Sequence, residues 1–79
     1  MNKEEKIENH RKNMKRFSNF IKNLRETKNL SQKELADILK ISLYRVENWE
    51  NMKGRVTVSD IYNICKTFNI SADLIFDWQ

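Results

Sequence analysis

The chain has 79 residues, a formal net charge of +4, one glycine, no proline and one cysteine. This length suits one small domain with a modest core and leaves little room for a deep catalytic cleft. The scarcity of glycine and proline argues against tight hairpins and predicts an all-α domain. No apolar run approaches the roughly 20 residues that a membrane-spanning helix needs, and no segment resembles a signal peptide. We therefore expect a cytoplasmic protein that does not contact a membrane.

The positive charge is concentrated near the N-terminus. Residues 1–30 carry nine lysines and arginines against four acidic residues, a balance of +5, whereas residues 31–79 carry six against seven, a balance of −1. A basic chain suggests an anionic partner such as nucleic acid, but charge alone does not separate DNA from RNA or from an acidic protein.

Apolar residues recur at helical spacing through the first 28 residues, which contain no glycine or proline. Two interpretations remain open for this segment. It is either one helix from about residue 3 to 28, or a helix over about 19–28 that Ser18 caps, preceded by an independent arm. We divide the chain into this N-terminal extension, residues 1–16, and a domain over residues 17–79.

The N-terminal extension carries a cluster of four basic residues: Arg11, Lys12, Lys15 and Arg16. Basic arms of this kind contact phosphates or the minor groove of DNA. An alternative is that the extension lengthens the first helix and packs Ile7, Met14 and Phe17 against a partner. A third interpretation is a solvated, partly helical tail without a partner.

Four later helix starts share one local pattern, in which an apolar residue precedes a serine or threonine and a second apolar residue follows in the first helical turn. The four sets are Leu30-Ser31 with Leu35, Ile41-Ser42 with Val46, Val56-Thr57 with Ile61, and Ile70-Ser71 with Ile75. Each combines an N-cap with a hydrophobic staple, and Ser31 with Glu34 forms a capping box, which Thr57 with Asp60 approximates. These signals predict helices over about 32–39, 43–51, 58–68 and 72–77.

Periodicity also predicts which residues form the core. The expected core residues are Ile21, Leu24, Leu30, Leu35, Ala36, Leu39, Ile41, Val46, Trp49, Val58, Ile61, Ile64, Cys65, Phe68, Ile70, Leu74 and Ile75. We interpret Cys65 as structural because it lies at helical spacing beside Ile61, Ile64 and Phe68.

The two helices over 32–39 and 43–51 are separated by a very short turn, which forces them to cross steeply. A helix held in this way can enter the major groove of B-DNA, where its N-terminal residues reach base edges while the preceding helix crosses the backbone. The segment is therefore a candidate DNA-binding unit.

An ordered set of residues resembles the Cro/CI-repressor type of helix-turn-helix domain, the Xre-like family, over about residues 17–77. The set comprises Leu24-Arg25, Leu30-Ser31-Gln32, Glu34-Leu35-Ala36, Ile41-Ser42, Val46, Trp49-Glu50-Asn51, Lys53 and Ile70-Ser71 with Asp73. The resemblance implies a five-helix domain, commonly a homodimer, whose third helix enters the major groove of an operator.

The resemblance also implies roles for individual residues. The residues expected to face base edges are Leu43, Tyr44, Glu47 and Asn48. The residues expected to approach phosphates are Gln32, Asn51, Lys53 and Arg55. Arg25 and Glu50 match a structural ion pair that links the first helix to the third.

This chain departs from the family pattern at several positions besides its N-terminal extension. Lys40 and Met52 replace glycines, and a left-handed backbone kept at Lys40 would cost about 1 kcal/mol. Ile38 and Leu43 are apolar where relatives are usually polar, and Tyr44 adds to this patch.

The leading hypothesis is a sequence-specific, repressor-like transcriptional regulator that binds a pseudo-palindromic DNA operator as a homodimer. The alternative is a protein-interaction module on the same scaffold, such as an antitoxin or antirepressor, which would bind a regulatory protein partner. We expect no enzymatic activity, metal or cofactor, because the single His10 has no second histidine or cysteine nearby and no glycine-rich phosphate loop is present.

Overall fold

The computed structural model describes the backbone of residues 3–75 and the side chains from residue 13 onward. It contains helices α1 (Lys3–Thr27), α2 (Gln32–Leu39), α3 (Leu43–Glu50) and α4 (Val58–Phe68), followed by a single 3-10 turn, Ala72–Leu74. No strand occurs within the described range, so the predicted all-α class is confirmed.

Helix α1 runs without interruption through the position at which Ser18 had been a candidate cap. The Ser18 side chain is buried instead, and its Oγ donates a hydrogen bond of 2.9 Å to the backbone carbonyl of Glu50. Met14 and Phe17 are also buried within the chain. The interpretation that these two residues pack against a partner is therefore wrong, and the side chain of Ile7 lies outside the described part.

The predicted helix starts at α2, α3, α4 and the 3-10 turn are confirmed. At each start the cap hydroxyl accepts a backbone N–H from the first turn: Ser31 from Glu34, Ser42 from Arg45, Thr57 from Asp60 and Ser71 from Asp73. Both Ser31 with Glu34 and Thr57 with Asp60 form complete, reciprocal capping boxes. These bonds satisfy backbone donors that have no partner inside the helix.

Left-handed residues follow the C-terminal ends of the four helices. They are Asn29, Lys40, Met52 and Asn69, with φ between 54 and 60°. After each of them, the next backbone N–H bonds to a carbonyl five residues earlier, from Leu30 to Arg25, Ile41 to Ala36, Lys53 to Asn48 and Ile70 to Cys65. Lys40 and Met52 thus keep the conformation that a glycine would adopt at lower cost, because L-residues are strained there.

The core lies where α1, α2, α3 and α4 meet. Its buried residues are Phe17, Ile21, Leu35, Ala36, Leu39, Val46, Trp49, Ile64 and Ile75. The prediction that Val58 and Leu74 belong to the core is wrong, because Val58 is 88% exposed and Leu74 is 65% exposed. Val58 is the first residue of α4 and lies beside exposed Tyr62, away from the face that carries Ile61 and Ile64.

The predicted fifth helix, 72–77, begins with the 3-10 turn, after which Ile75 is buried. Its last two positions and the rest of the C-terminus lie outside the described residues. The count of five α-helices is therefore not confirmed, since the described range holds four α-helices and this turn.

Candidate nucleic-acid interface

The inward face of α3 is fixed by close packing. Val46 and Trp49 are almost completely buried, and the rings of Phe17 and Trp49 meet edge to face with centroids 5.1 Å apart. Such an aromatic pair stabilises the packing beyond its buried area. Packing against the hydrophobic core thus fixes the position of α3.

Arg25 and Glu50 form the ion pair that the family resemblance implies. Arg25 Nε and Nη2 donate to the two carboxylate oxygens of Glu50 at 2.9 and 3.0 Å. Arg25 Nη1 also donates to the Leu30 carbonyl at 3.1 Å. The hydrogen bond to Glu50 raises the pKa of Arg25 against the opposing effect of burial, so the guanidinium stays charged. This bidentate pair joins α1 to the C-terminal end of α3.

A second ion pair, between Arg45 and Asp60, joins α3 to α4 and was missed by the sequence analysis. Asp60 is mostly buried, and its Oδ1 accepts from Arg45 while its Oδ2 accepts the Thr57 N–H at 2.8 Å. The Arg45 guanidinium also lies over the Trp49 ring, 5.2 Å from its centroid. The capping box gave a signal for Asp60, but no sequence pattern indicated Arg45, which lies 15 residues away.

The environment of Asp60 favours its charged form. Burial alone raises the pKa of the carboxyl group, but the hydrogen bonds from Thr57 and Arg45, together with the Arg45 charge, outweigh burial and lower it. Asp60 therefore remains an anion that holds Arg45 at neutral pH.

The outward face of α3 carries the four predicted base-facing residues. Tyr44 is 70% exposed and Leu43 is 38% exposed, whereas Glu47 and Asn48 are half-buried. Their positions fall within one side of a 3.6-residue helix, opposite Val46 and Trp49. The fold brings these four side chains together on one accessible surface.

The loop after α3 carries three of the predicted phosphate-binding residues, and all three are exposed: Asn51, Lys53 and Arg55. The Lys53 N–H donates to the Asn48 carbonyl at 2.7 Å, and Trp49 Nε1 donates to the Arg55 carbonyl at 3.2 Å. The fourth, Gln32, is half-buried at the first position of α2. The backbone of the loop therefore runs close to α3 at Asn48 and Trp49.

Gly54 lies in this loop beside Asn48 of α3. Its φ is +78°, a conformation that favours glycine. A Cβ at Gly54 would lie 3.6 Å from the Asn48 Cβ, which is ordinary van der Waals contact. The backbone of the loop thus packs against one of the predicted base-facing residues.

A family model described as helix-turn-helix matches residues 21–75, which include all of α2, α3 and α4. The chain belongs to the Xre-like helix-turn-helix family. This family is DNA-binding, and the domain is accordingly a DNA-binding regulator. Neither the comparison with curated proteins nor that with solved structures returned a match.

The apolar residues at which this Xre-like domain departs from the family pattern lie on its surface. Ile38 is 41% exposed near the end of α2, and Leu43 and Tyr44 are exposed at the start of α3. Two of these three exposed residues, Leu43 and Tyr44, are also predicted to face base edges.

The basic cluster of the N-terminal extension is only partly described. Lys15 and Arg16 are exposed on α1, while the side chains of Arg11 and Lys12 lie outside the described set. Within the residues that the structure describes, no helix is long and apolar enough to cross a membrane. The same residues contain no group of three side chains suited to hold a metal ion.

Proposed function

We propose that this Xre-like chain is a sequence-specific transcriptional regulator, repressor-like in action, that inserts α3 into the major groove of double-stranded DNA. One observation supports this most strongly. The inward side of α3 is held by the core and two ion pairs, while its opposite side presents a cluster of accessible side chains. Rigid support under an accessible helix face is what base recognition requires.

The side chains on that face match the chemistry of base edges. The Asn48 amide can pair with adenine N6 and N7, and Glu47 can accept from cytosine N4. Leu43 can contact a thymine methyl group, and the exposed Tyr44 extends the same surface. These contacts would discriminate between operators, whereas the phosphate contacts would not.

The phosphate contacts in this proposal come from two segments that flank α3. Gln32 begins α2, and Asn51, Lys53 and Arg55 follow α3. Contacts from Lys53 and Arg55 make affinity fall with salt, and removing one such charge should lower the salt slope by about 1.

We further propose that two copies bind a pseudo-palindromic operator. One domain offers few basic residues near its recognition surface, so a second copy would double the phosphate contacts. Half-site centres should then be separated by about 34 Å, one turn of DNA. Sedimentation of the free protein and of its complex would measure this stoichiometry, and a one-to-one complex with a single half-site would contradict it.

The decisive experiment measures affinity by fluorescence anisotropy for DNA sequences selected by the wild-type protein and for scrambled DNA. We expect Asn48→Ala and Tyr44→Ala each to reduce the preference for selected DNA by about tenfold, corresponding to about 1.4 kcal/mol. Tyr62→Ala is a matched control because Tyr62 is equally an exposed tyrosine, but on α4. Equal wild-type affinity for both DNAs at fixed salt would refute sequence-specific binding.

Exposed apolar residues favour a second candidate function, a protein-interaction module such as an antitoxin or antirepressor. Ile38, Leu43 and Tyr44 give the helix-turn-helix an apolar surface that a protein partner would cover. Salt dependence separates the two functions, because DNA binding weakens steeply with salt. Salt-insensitive binding to a co-purified protein, with no DNA affinity, would favour this second function.

A further inference from the structure

The loop between α3 and α4 is held at several points along its length. The Lys53 N–H bonds to the Asn48 carbonyl near its start, and Trp49 Nε1 bonds to the Arg55 carbonyl in its middle. At its end, the Thr57 N–H bonds to Asp60, which is also paired with Arg45. The exposed side chains of Lys53 and Arg55 therefore project from a backbone that is fixed on both sides.

Arg45 and Asp60 link the last of these attachments back to α3. Arg45 is a residue of α3, its guanidinium lies over Trp49, and it donates to the mostly buried Asp60 of α4. Trp49 in turn holds the Arg55 carbonyl. Trp49 thus attaches the middle of the loop directly. Arg45 holds α3 to Asp60, and the capping box of Asp60 with Thr57 holds the end of the loop.

We infer that Arg45 and Asp60 are positioning residues for DNA binding, which hold the α3–α4 loop so that Lys53 and Arg55 meet phosphates while α3 lies in the groove. This inference depends on the proposed DNA-binding function. Arg45 itself lies on the flank of α3, and its role is exerted through the loop.

Net charge and the positioning role predict opposite effects of Asp60→Asn on DNA affinity, so this variant distinguishes them. Asp60→Asn removes a negative charge, and this change by itself would strengthen binding to a polyanion. The positioning role instead predicts weaker binding, because an asparagine still accepts from Thr57 but no longer pairs with the Arg45 charge. Asp37→Asn is the matched control, since Asp37 pairs with Lys33 across exposed positions of α2.

The experiment compares these variants for binding to selected DNA over a series of salt concentrations. We expect Asp60→Asn to weaken binding about tenfold and to reduce the salt slope by about 1, while Asp37→Asn binds as tightly as wild type or more tightly. Circular dichroism at the assay temperature verifies that the variants are folded. Wild-type affinity and slope for folded Asp60→Asn would overturn the inference while leaving the proposed function intact.

A second pair of variants decides the matter should Asp60→Asn not fold. Arg45→Gln and Lys33→Gln remove the same charge, but only the first breaks the attachment to α4. We expect a loss of affinity for Arg45→Gln at least about fivefold greater than for Lys33→Gln, and partial recovery in Arg45→Lys. Equal losses for the two glutamine variants would overturn the inference. Absence of salt-dependent DNA binding by the wild type would refute the proposed function itself.

Discussion

The two faces of α3 differ in how far their side chains are already engaged within the protein. On the inward face, Val46 and Trp49 are buried and Glu50 is paired with Arg25. On the outward face, Leu43 and Tyr44 are exposed. A helix this short is marginal on its own, so its order comes from the inward face. The residues that hold α3 in place and the residues on its accessible face are therefore separate sets, and mutations can test each set separately.

The largest contrast is expected between the two aromatic residues of α3. Trp49→Ala should lower the free energy of unfolding by about 3–5 kcal/mol, because it leaves a cavity beside Phe17 in the core. Tyr44→Ala should change it by less than about 0.5 kcal/mol, because Tyr44 is mostly exposed. Urea denaturation followed by circular dichroism measures both values. Similar losses for the two variants would contradict the assignment of the faces.

The two glutamates of α3 give the next contrast. Glu50→Ala should cost about 3 kcal/mol, because Arg25 would remain partly buried without its carboxylate partner. Glu47→Ala removes a carboxylate from the outward face of α3 and should lower the free energy of unfolding by less than about 0.5 kcal/mol. The same denaturation assay at neutral pH applies. A Glu50→Ala loss as small as that of Glu47→Ala would show that the ion pair does not hold α3 to α1.

Lowering the pH should weaken the ion pair between Arg45 and Asp60, which joins α3 to α4. The pKa of Asp60 is lowered in the folded protein, so the unfolded chain takes up the proton first as the pH falls. The stability from this charge is therefore complete above the ordinary value of 3.8 and is lost as the pH falls through the folded pKa.

Unfolding measured from neutral pH down to about pH 2 tests this expectation. Asp60→Asn should show a smaller loss of stability over the acid range than the wild type. Glu34→Gln removes another carboxyl whose pKa is lowered, by the backbone hydrogen bond from Ser31, and serves as an exposed comparison with a smaller effect. An acid dependence of Asp60→Asn identical to that of the wild type would contradict the assigned role of this carboxylate.

The smallest expected effect concerns the turn that sets the angle between α2 and α3. Lys40→Gly should raise the free energy of unfolding by about 0.5–1 kcal/mol, because glycine adopts the left-handed conformation at Lys40 with less strain. Lys33→Gly should lower it by a similar amount, because residue 33 is inside α2. Thermal unfolding with two-state analysis compares them. Destabilisation by Lys40→Gly would argue against stored strain in this turn.

The sequence predicted which residues share the outward face of α3, because position along a helix is sufficient to determine a shared face. Leu43, Tyr44, Glu47 and Asn48 share a face because helical periodicity requires it, and the structure leaves that face accessible. Their contacts with bases remain a prediction. The role of Arg45 was not predictable in this way, because its partner lies on another helix and the pairing depends on how α3 and α4 pack.

Local chemistry was sufficient to determine the helix starts. Ser31, Ser42, Thr57 and Ser71 cap them through bonds to residues two or three positions ahead, so the sequence alone specifies these boundaries.

Tertiary structure decided which side of each helix is buried and which polar groups meet. Ser18, a candidate cap in the sequence, is buried and donates a hydrogen bond to α3. Val58 is exposed to solvent, and Arg45 pairs with Asp60. The physical reason is the range of the interactions: capping operates within one turn, whereas burial and long-range ion pairs depend on the arrangement of the helices around a common core.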